Sequence, residues 1–383
     1  MKDAENPVTI ADLTIQKTIE HVLLSFYPNI NIIGEEDPAT YEHIKPLVSV
    51  SEIRRNAISE EFLSKNFESR KELISKSKTS SLTKSAMVAS TLYLLPICGS
   101  WVCGSSENVS ELADGTPSSF PKCRSLLVSL INLISILGWR VTISIGAFKN
   151  EVLEDPFTFN AEDLHVWIDP IDGTRELVAG RLENVTCMIG VVYNKIPIMG
   201  LVHRPYVERS GTIGETFFGS LEFGIYKCSF DRTWDQRKIE EREYNYMNPF
   251  PSGEDIQDLD SHILNLNVCW HRENAQNKEC IEYLQPCKFV EDGGAGKRVL
   301  RVLDDINEIW VFPGYGQSGW DMCGPEALIR GRMGITTDCY EDRFQYTSEI
   351  DPIKGCIFAK NQKLYDLALK RMTKFLPYLR TII

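Results

Sequence analysis

The stretch Trp167-Ile168-Asp169-Pro170-Ile171-Asp172-Gly173-Thr174 decides how the rest of the chain is read. The run His165, Val166, Trp167, Ile168 reads as a strand end. Two carboxylates follow, three positions apart, with a proline between them and a Gly-Thr pair directly after. Arg175 to Val178 can open a helix. A strand that ends in two acids and feeds a helix N-terminus can hold hard cations beside an anion site. That combination suggests metal-assisted phosphate chemistry, although Asp, Pro and Gly also favour plain turns.

Downstream of this stretch the chain alternates. Period-2 or short apolar runs predict strands at Leu164–Asp169, Val185–Tyr193, Ile198–His203, Thr216–Phe218 and Gly224–Cys228. After a polar stretch from Arg232 to Asp260, strands near Leu264–Trp270, Lys288–Val290, Ile309–Phe312 and Gly355–Ala359 interleave with helices. Those helices are predicted near Asn274–Leu284, Lys297–Val302, Cys323–Arg330 and Lys363–Phe375. Strands alternating with helices imply α/β layering. Upstream, residues 8–27 carry a helical pattern (Ile10, Leu13, Ile15, Ile19, Val22, Leu23, Phe26) with Leu13 off the stripe. Ile30 to Ile33 then read as a short strand leading into Gly34-Glu35-Glu36-Asp37. Between these blocks lie a charged helical stretch (Ser51 to Ser77), a Ser/Thr/Lys linker (Lys78 to Lys84) and two apolar segments around Leu94 and Leu130. Ser105 to Pro121 reads as a mobile loop.

The net charge of −12 over 383 residues argues against broad binding to nucleic acid or anionic membranes. A polyanionic substrate would then need local positive charge or metal ions. The apolar tract Leu126–Trp139 falls short of the ~20 residues that span a bilayer, and Arg140 follows it at once. The first residues, Met-Lys-Asp-Ala-Glu-Asn-Pro, do not form a signal peptide. The 11 cysteines show no zinc spacing, so free thiols in a reducing, cytoplasmic setting are expected.

Three acidic motifs stand out: Gly34-Glu35-Glu36-Asp37, the Asp169–Thr174 hexapeptide, and Trp320-Asp321. Singly each has a plain reading, a solvated turn for the first and a helix N-cap for the last. Jointly they resemble the magnesium-dependent, lithium-sensitive phosphomonoesterases related to inositol monophosphatase. Glu183-Asn184-Val185-Thr186 through Ile189-Gly190-Val191, Gly200-Leu201-Val202 and Pro205-Tyr206 are similar to the strands after that family's motif. Gly293-Gly294-Ala295-Gly296-Lys297-Arg298 and Trp320-Asp321-x-Cys323-x-Pro325-Glu326 resemble its C-terminal signatures. The likeness covers about residues 1–37 and 161–383 and is nearest the family's bisphosphate nucleotidase branch.

The resemblance implies an α/β fold, a layered αβαβα sandwich of the inositol monophosphatase and fructose-1,6-bisphosphatase kind. Its two halves, 1–235 with a long insertion at about 38–160 and 236–383, would hold the site between them. It implies Glu35, Asp169, Asp172, Asp321 and the Ile171 carbonyl as ligands of two or three Mg²⁺ ions. It places Asp12 and Thr174 on the attacking water, and Gly173, Thr174, His271, Asn274, Gly294 and Arg298 on the substrate. The implied reaction removes the 3'-phosphate of adenosine 3',5'-bisphosphate, giving AMP and phosphate, with 3'-phosphoadenosine 5'-phosphosulfate as a further substrate. The partner is then a small phosphorylated molecule, with neither nucleic acid nor membrane. Lithium inhibition is expected from the same resemblance.

Several departures keep alternatives open. The branch's Thr-Arg-Ser-His run stands here as His271-Arg272-Glu273-Asn274, and its lysine after the Gly-Gly-Ala-Gly turn is Arg298, with Lys297 beside it. The chain starts about a helix short of typical members and carries the long insertion. An inositol polyphosphate 1-phosphatase activity is the enzymatic alternative. A catalytically weak scaffold using the insertion is the alternative from another class.

Overall fold

The computed structural model describes residues 9–46, 161–207, 212–220, 224–231, 245–254, 256–269, 275–314, 316–347 and 353–377. The helical stretch 51–77, the linker 78–84, the apolar segments near Leu94 and Leu130, and the loop 105–121 lie outside these residues. So do His271, Asn274 and the boundary expected at 235.

The chain runs through helix α1 (Ile10–Phe26), strand β1 (Asn31–Gly34) and a one-turn helix α2 (Pro38–Tyr41). It continues through β2 (Leu164–Asp172), α3 (Thr174–Val178), β3 (Thr186–Tyr193), β4 (Ile196–Arg204), β5 (Thr212–Ser220), β6 (Gly224–Asp231) and β7 (Asn245–Met247). Then follow β8 (Leu264–Cys269), α4 (Ala275–Tyr283), β9 (Cys287–Asp292), α5 (Ala295–Leu303), β10 (Ile309–Phe312) and α6 (Gly319–Gly331). The final elements are β11 (Ile335–Thr337), β12 (Cys356–Ala359) and α7 (Gln362–Arg371).

Among the described residues the strands make two sheets. One runs in the order β1-β2-β3-β4-β5-β6-β7 and the other β11-β12-β10-β8-β9. Three apolar clusters show how these sheets and the helices stack. Ala11, Ile15, Ile19, Val22 and Leu23 of α1 pack on one face of the first sheet, with Val166, Ile189 and Leu201. The opposite face, with Met188, Val202 and Phe217, meets α5 and α6, which in turn touch Trp310, Phe312 and Phe358 of the second sheet. Beyond that sheet, α4 and α7 close the stack through Cys280, Leu364 and Leu367 against Leu264, Leu266 and Ile357. The order of layers is therefore helix, sheet, helix, sheet, helix, and the expected αβαβα sandwich is the observed architecture. Ile10 departs from the expected helical stripe and is 47% exposed. It lies five positions before Ile15, about 140° around an α-helix from it.

Strand β2 does not stop at Asp169 as its apolar run suggests. The antiparallel ladder with β3 pairs Asp169 with Met188, slips, and resumes with Asp172 opposite Thr186. Side chains alternate faces along a strand, so two residues three apart would ordinarily point to opposite sides. The irregularity at Pro170-Ile171 inserts the extra step that re-aims the second acid. Proline is tolerated there because a bulge needs no ladder donor.

Candidate functional site

Three carboxylates converge where the first sheet meets the central helices. Asp169, Asp172 and Asp321 each offer an oxygen, and these atoms lie within 4.8 Å of one another. Glu35 reaches the same neighbourhood from β1, which runs parallel to β2 with Gly34 beside Ile168. Its N–H donates to the Ile168 carbonyl at 3.0 Å.

Asp169 is 2% exposed, and its Oδ1 is buried without a hydrogen-bond partner among the described residues. Burial raises its pKa well above the usual carboxylate range, and the charges of Glu35, Asp172, Asp321 and Asp12 push the same way. Asp172 is held more firmly. Its Oδ1 accepts from the Ala295 N–H at 3.0 Å, and its Oδ2 accepts from the Gly296 N–H at 2.7 Å and the Thr186 hydroxyl at 2.9 Å. The first amides of α5 thus bind the carboxylate at the positive end of the helix dipole. Burial still raises the Asp172 pKa, opposed by Arg298 and by these three donors.

Asp321 is not the N-cap that its place before Gly324-Pro325 suggests. Helix α6 begins at Gly319 with Ser318 as N-cap, which puts Asp321 third in a capping box. Asp321 Oδ2 accepts from the Ser318 N–H at 2.6 Å. The side chain is therefore fixed at the helix start. Burial, ahead of the Asp172 and Glu35 charges, raises its pKa to about 8, against the Ser318 N–H and Arg298.

Asp12 stands on the first turn of α1. Its Oδ2 accepts from the Thr9 N–H at 2.7 Å and the Thr9 hydroxyl at 2.5 Å. The Thr174 hydroxyl lies 3.3 Å from Asp12 Oδ1 and 3.1 Å from the Ile171 carbonyl oxygen. Burial raises Asp12 to about 6, countered by Thr9 and reinforced by Glu36 and Glu35. The hexapeptide and α1, 162 residues apart in sequence, therefore meet at a hydroxyl–carboxylate contact.

Of the residues expected at the substrate, Gly173 and Thr174 form the turn into α3, and Gly294 directly precedes the amides that hold Asp172. Arg298 is turned inward: it is 3% exposed, and its Nε donates to the Gly294 carbonyl at 2.8 Å. Its guanidinium carbon lies 5.2 Å from the Trp310 ring centroid and 5.8 Å from that of Phe312. Lys297 donates to the Glu183 carbonyl at 3.0 Å. Sequence reasoning missed Thr186 and the α5 amides as partners of Asp172. Only strand register and the helix start reveal them, and neither is a local signal.

The donor set suits a hard divalent cation: several carboxylate oxygens, one of them buried without a partner, and no nitrogen or sulfur in the cluster. Without cations so many like charges would repel one another, which adds to the burial that chiefly raises the pKa values of Asp169 and Asp321.

A model of the inositol monophosphatase family matches residues 142–374. The 3'(2'),5'-bisphosphate nucleotidase 1 of Mus musculus is 27% identical over 209 residues, 52% of this chain and 59% of that protein. The inositol polyphosphate 1-phosphatase of Mus musculus is 22% identical over 203 residues, 47% of this chain and 48% of that protein. The chain thus spans about three fifths of the length of the first curated relatives it matches. Among solved structures, CysQ from Bacteroides thetaiotaomicron is 18% identical with a TM-score of 0.41, covering 66% of this chain and 88% of that one. Among the described residues, no helix is long and apolar enough to cross a membrane.

Proposed function

The chain belongs to the inositol monophosphatase family, and from that premise we propose that it is a Mg²⁺-dependent phosphomonoesterase that removes the 3'-phosphate of adenosine 3',5'-bisphosphate. The observation that carries the reading is the convergence of Asp169, Asp172 and Asp321, with Asp169 Oδ1 buried and unpartnered. In this reading Glu35, Asp169, Asp172, Asp321 and the Ile171 carbonyl hold the cations. When bound, such ions supply a nucleophilic water near neutral pH and neutralise charge on the phosphate during in-line displacement.

The chain's own residues do the positioning. Asp12 and Thr174 orient the attacking water between them, and Asp12, with a pKa raised to about 6, is ready to accept its proton at neutral pH. The Gly173 and Thr174 amides face the phosphate. Arg298, buried beside Asp172, serves better as a fixed positive charge behind the carboxylates than as a direct phosphate ligand. No covalent nucleophile is needed, because phosphoryl transfer depends mainly on positioning and charge stabilisation.

The nucleotide substrate is supported by the bisphosphate nucleotidases among the relatives. The likeness to an inositol polyphosphate 1-phosphatase favours an inositol phosphate as the second reading. The test compares kcat/KM for adenosine 3',5'-bisphosphate and inositol 1,4-bisphosphate in millimolar Mg²⁺. The nucleotide is expected to be preferred. Preference for the inositol phosphate would replace the substrate, and no phosphate release from either would leave a scaffold as the better reading.

A further inference from the structure

We propose that Gln16 is a positioning residue for the divalent-cation site, clamping the turn that carries Glu35 to the helix that carries Asp12. The inference rests on the reading of Glu35 as a cation ligand and adds a residue that touches neither cation nor substrate.

Gln16 lies on α1, four positions after Asp12 and so on the same helical face. It is fully buried. Its Oε1 accepts from the Glu36 N–H at 3.0 Å, and its Nε2 donates to the Glu36 carbonyl at 2.8 Å. Both ends of one residue's backbone are therefore taken by one side-chain amide, as a neighbouring strand would take them. The Glu36 N–H can only donate, which fixes which end of the amide is oxygen. The amide is itself held from behind: Nε2 lies 2.9 Å from the Tyr41 hydroxyl and 3.2 Å from Glu20 Oε1, and the Tyr41 hydroxyl donates to that same Glu20 oxygen.

Glu35 is thus secured on both sides. Its own N–H is tied to β2 through the Ile168 carbonyl, and the next residue is tied to α1 through Gln16. A second observation points the same way. A Cβ at Gly34 would fall 2.1 Å from Gln16 Nε2 and 2.4 Å from its Cδ. The amide therefore occupies the space a side chain at position 34 would need, and the glycine before Glu35-Glu36 is shaped to receive it. Partners one step removed from a metal orient the ligands, and their loss typically costs affinity rather than chemistry.

The test uses the full chain and the cation alone as probe. Mg²⁺ binding is measured by calorimetry, and the Mg²⁺ half-saturation of phosphatase activity is measured in parallel, for wild type, Gln16→Met and Gly34→Ala. Gln16→Met keeps the length and loses every hydrogen bond, while Gly34→Ala displaces the amide without removing it. Both are expected to weaken Mg²⁺ binding about tenfold and to raise the half-saturation in step, with kcat at saturating Mg²⁺ changing far less. The double variant is expected to add little to either single one, because both break one contact. Should Gln16→Met fail to fold, Gly34→Ala, which keeps the amide and only displaces it, carries the same test alone. A folded variant with lower thermal stability but wild-type Mg²⁺ affinity would overturn the proposal and leave the metal reading standing. A wild-type chain that binds no Mg²⁺ would overturn both.

Discussion

Asp169 concentrates the conflict at the heart of the site. Its Oδ1 is buried without a hydrogen-bond partner among the described residues, and burial, reinforced by four other carboxylates, raises its pKa. No group among the described residues satisfies that oxygen, so a cation or a proton is what would offset its cost. Asp169→Asn removes one charge from the cluster at almost constant shape. Activity at saturating Mg²⁺ is expected to fall roughly 10²–10³-fold, the scale of losing several kcal/mol of transition-state stabilisation. The melting temperature of the metal-free protein is expected to rise, because a neutral side chain relieves the repulsion. Steady-state rates and a melting curve in chelator check the two signs, and full activity in the variant would remove Asp169 from the site. The acids themselves were legible in sequence because the motif Asp-Pro-Ile-Asp-Gly-Thr is local. Gln16 and Thr186 were not, since each touches its acidic partner through folding and looks in sequence like one more polar residue.

At the scale of elements, α6 fixes the distance between the two sheets and carries Asp321 at its start. It lies unusually close on β3 and β4: a Cβ at Gly200 would fall 2.3 Å from the Gly324 carbonyl oxygen, and one at Gly324 would fall 2.7 Å from the Ile189 carbonyl oxygen. Backbone meets backbone there, and no flexible side chain can yield. Gly200→Ala is therefore expected to destabilise the fold by about 2 kcal/mol, as overpacking typically does. It is also expected to weaken Mg²⁺ binding, because a displaced α6 carries Asp321 with it. Chemical denaturation and Mg²⁺ titration read the two effects, and a neutral substitution would show that the helix can lift away freely. The long strands and the amphipathic helices were readable from period alone, and α5 was expected at 297–302 and found at Ala295–Leu303. The three-residue strands β7 and β11 were not, since three residues are too few to show a period. Helix α6, expected near Cys323–Arg330, starts four residues earlier, at Gly319, with Pro325 inside it.

At the scale of the whole molecule, the proposed site would couple stability to pH and to metal. In the metal-free protein Asp12 is raised from 3.8 to about 6, Asp321 from 3.8 to about 8, and Asp169 well above 3.8. Glu326, buried against Tyr346, Thr336 and Arg330, is raised chiefly by burial, from 4.5 to about 7. A carboxyl whose folded pKa is raised holds its proton more tightly folded than unfolded. Its contribution is fully present below the unfolded value and is lost as pH rises through the folded one. His203 acts in the opposite sense, because burial lowers it from 6.5 to about 3, so it costs stability only as pH falls below about 6.5. Between about pH 6.5 and about pH 8 the carboxyls therefore decide the sign. The metal-free melting temperature is expected to fall across that window. On the proposed reading Mg²⁺ competes with protons for the same oxygens, so its affinity is expected to rise as they deprotonate. The Mg²⁺-induced increase in melting temperature should then grow with pH over the same range, following the linkage between ligand affinity and stability. Melting curves at both ends of the window, in chelator and in excess Mg²⁺, measure the coupling. A Mg²⁺ shift that shrank as pH rose would mean that the cation binds elsewhere than at these carboxylates.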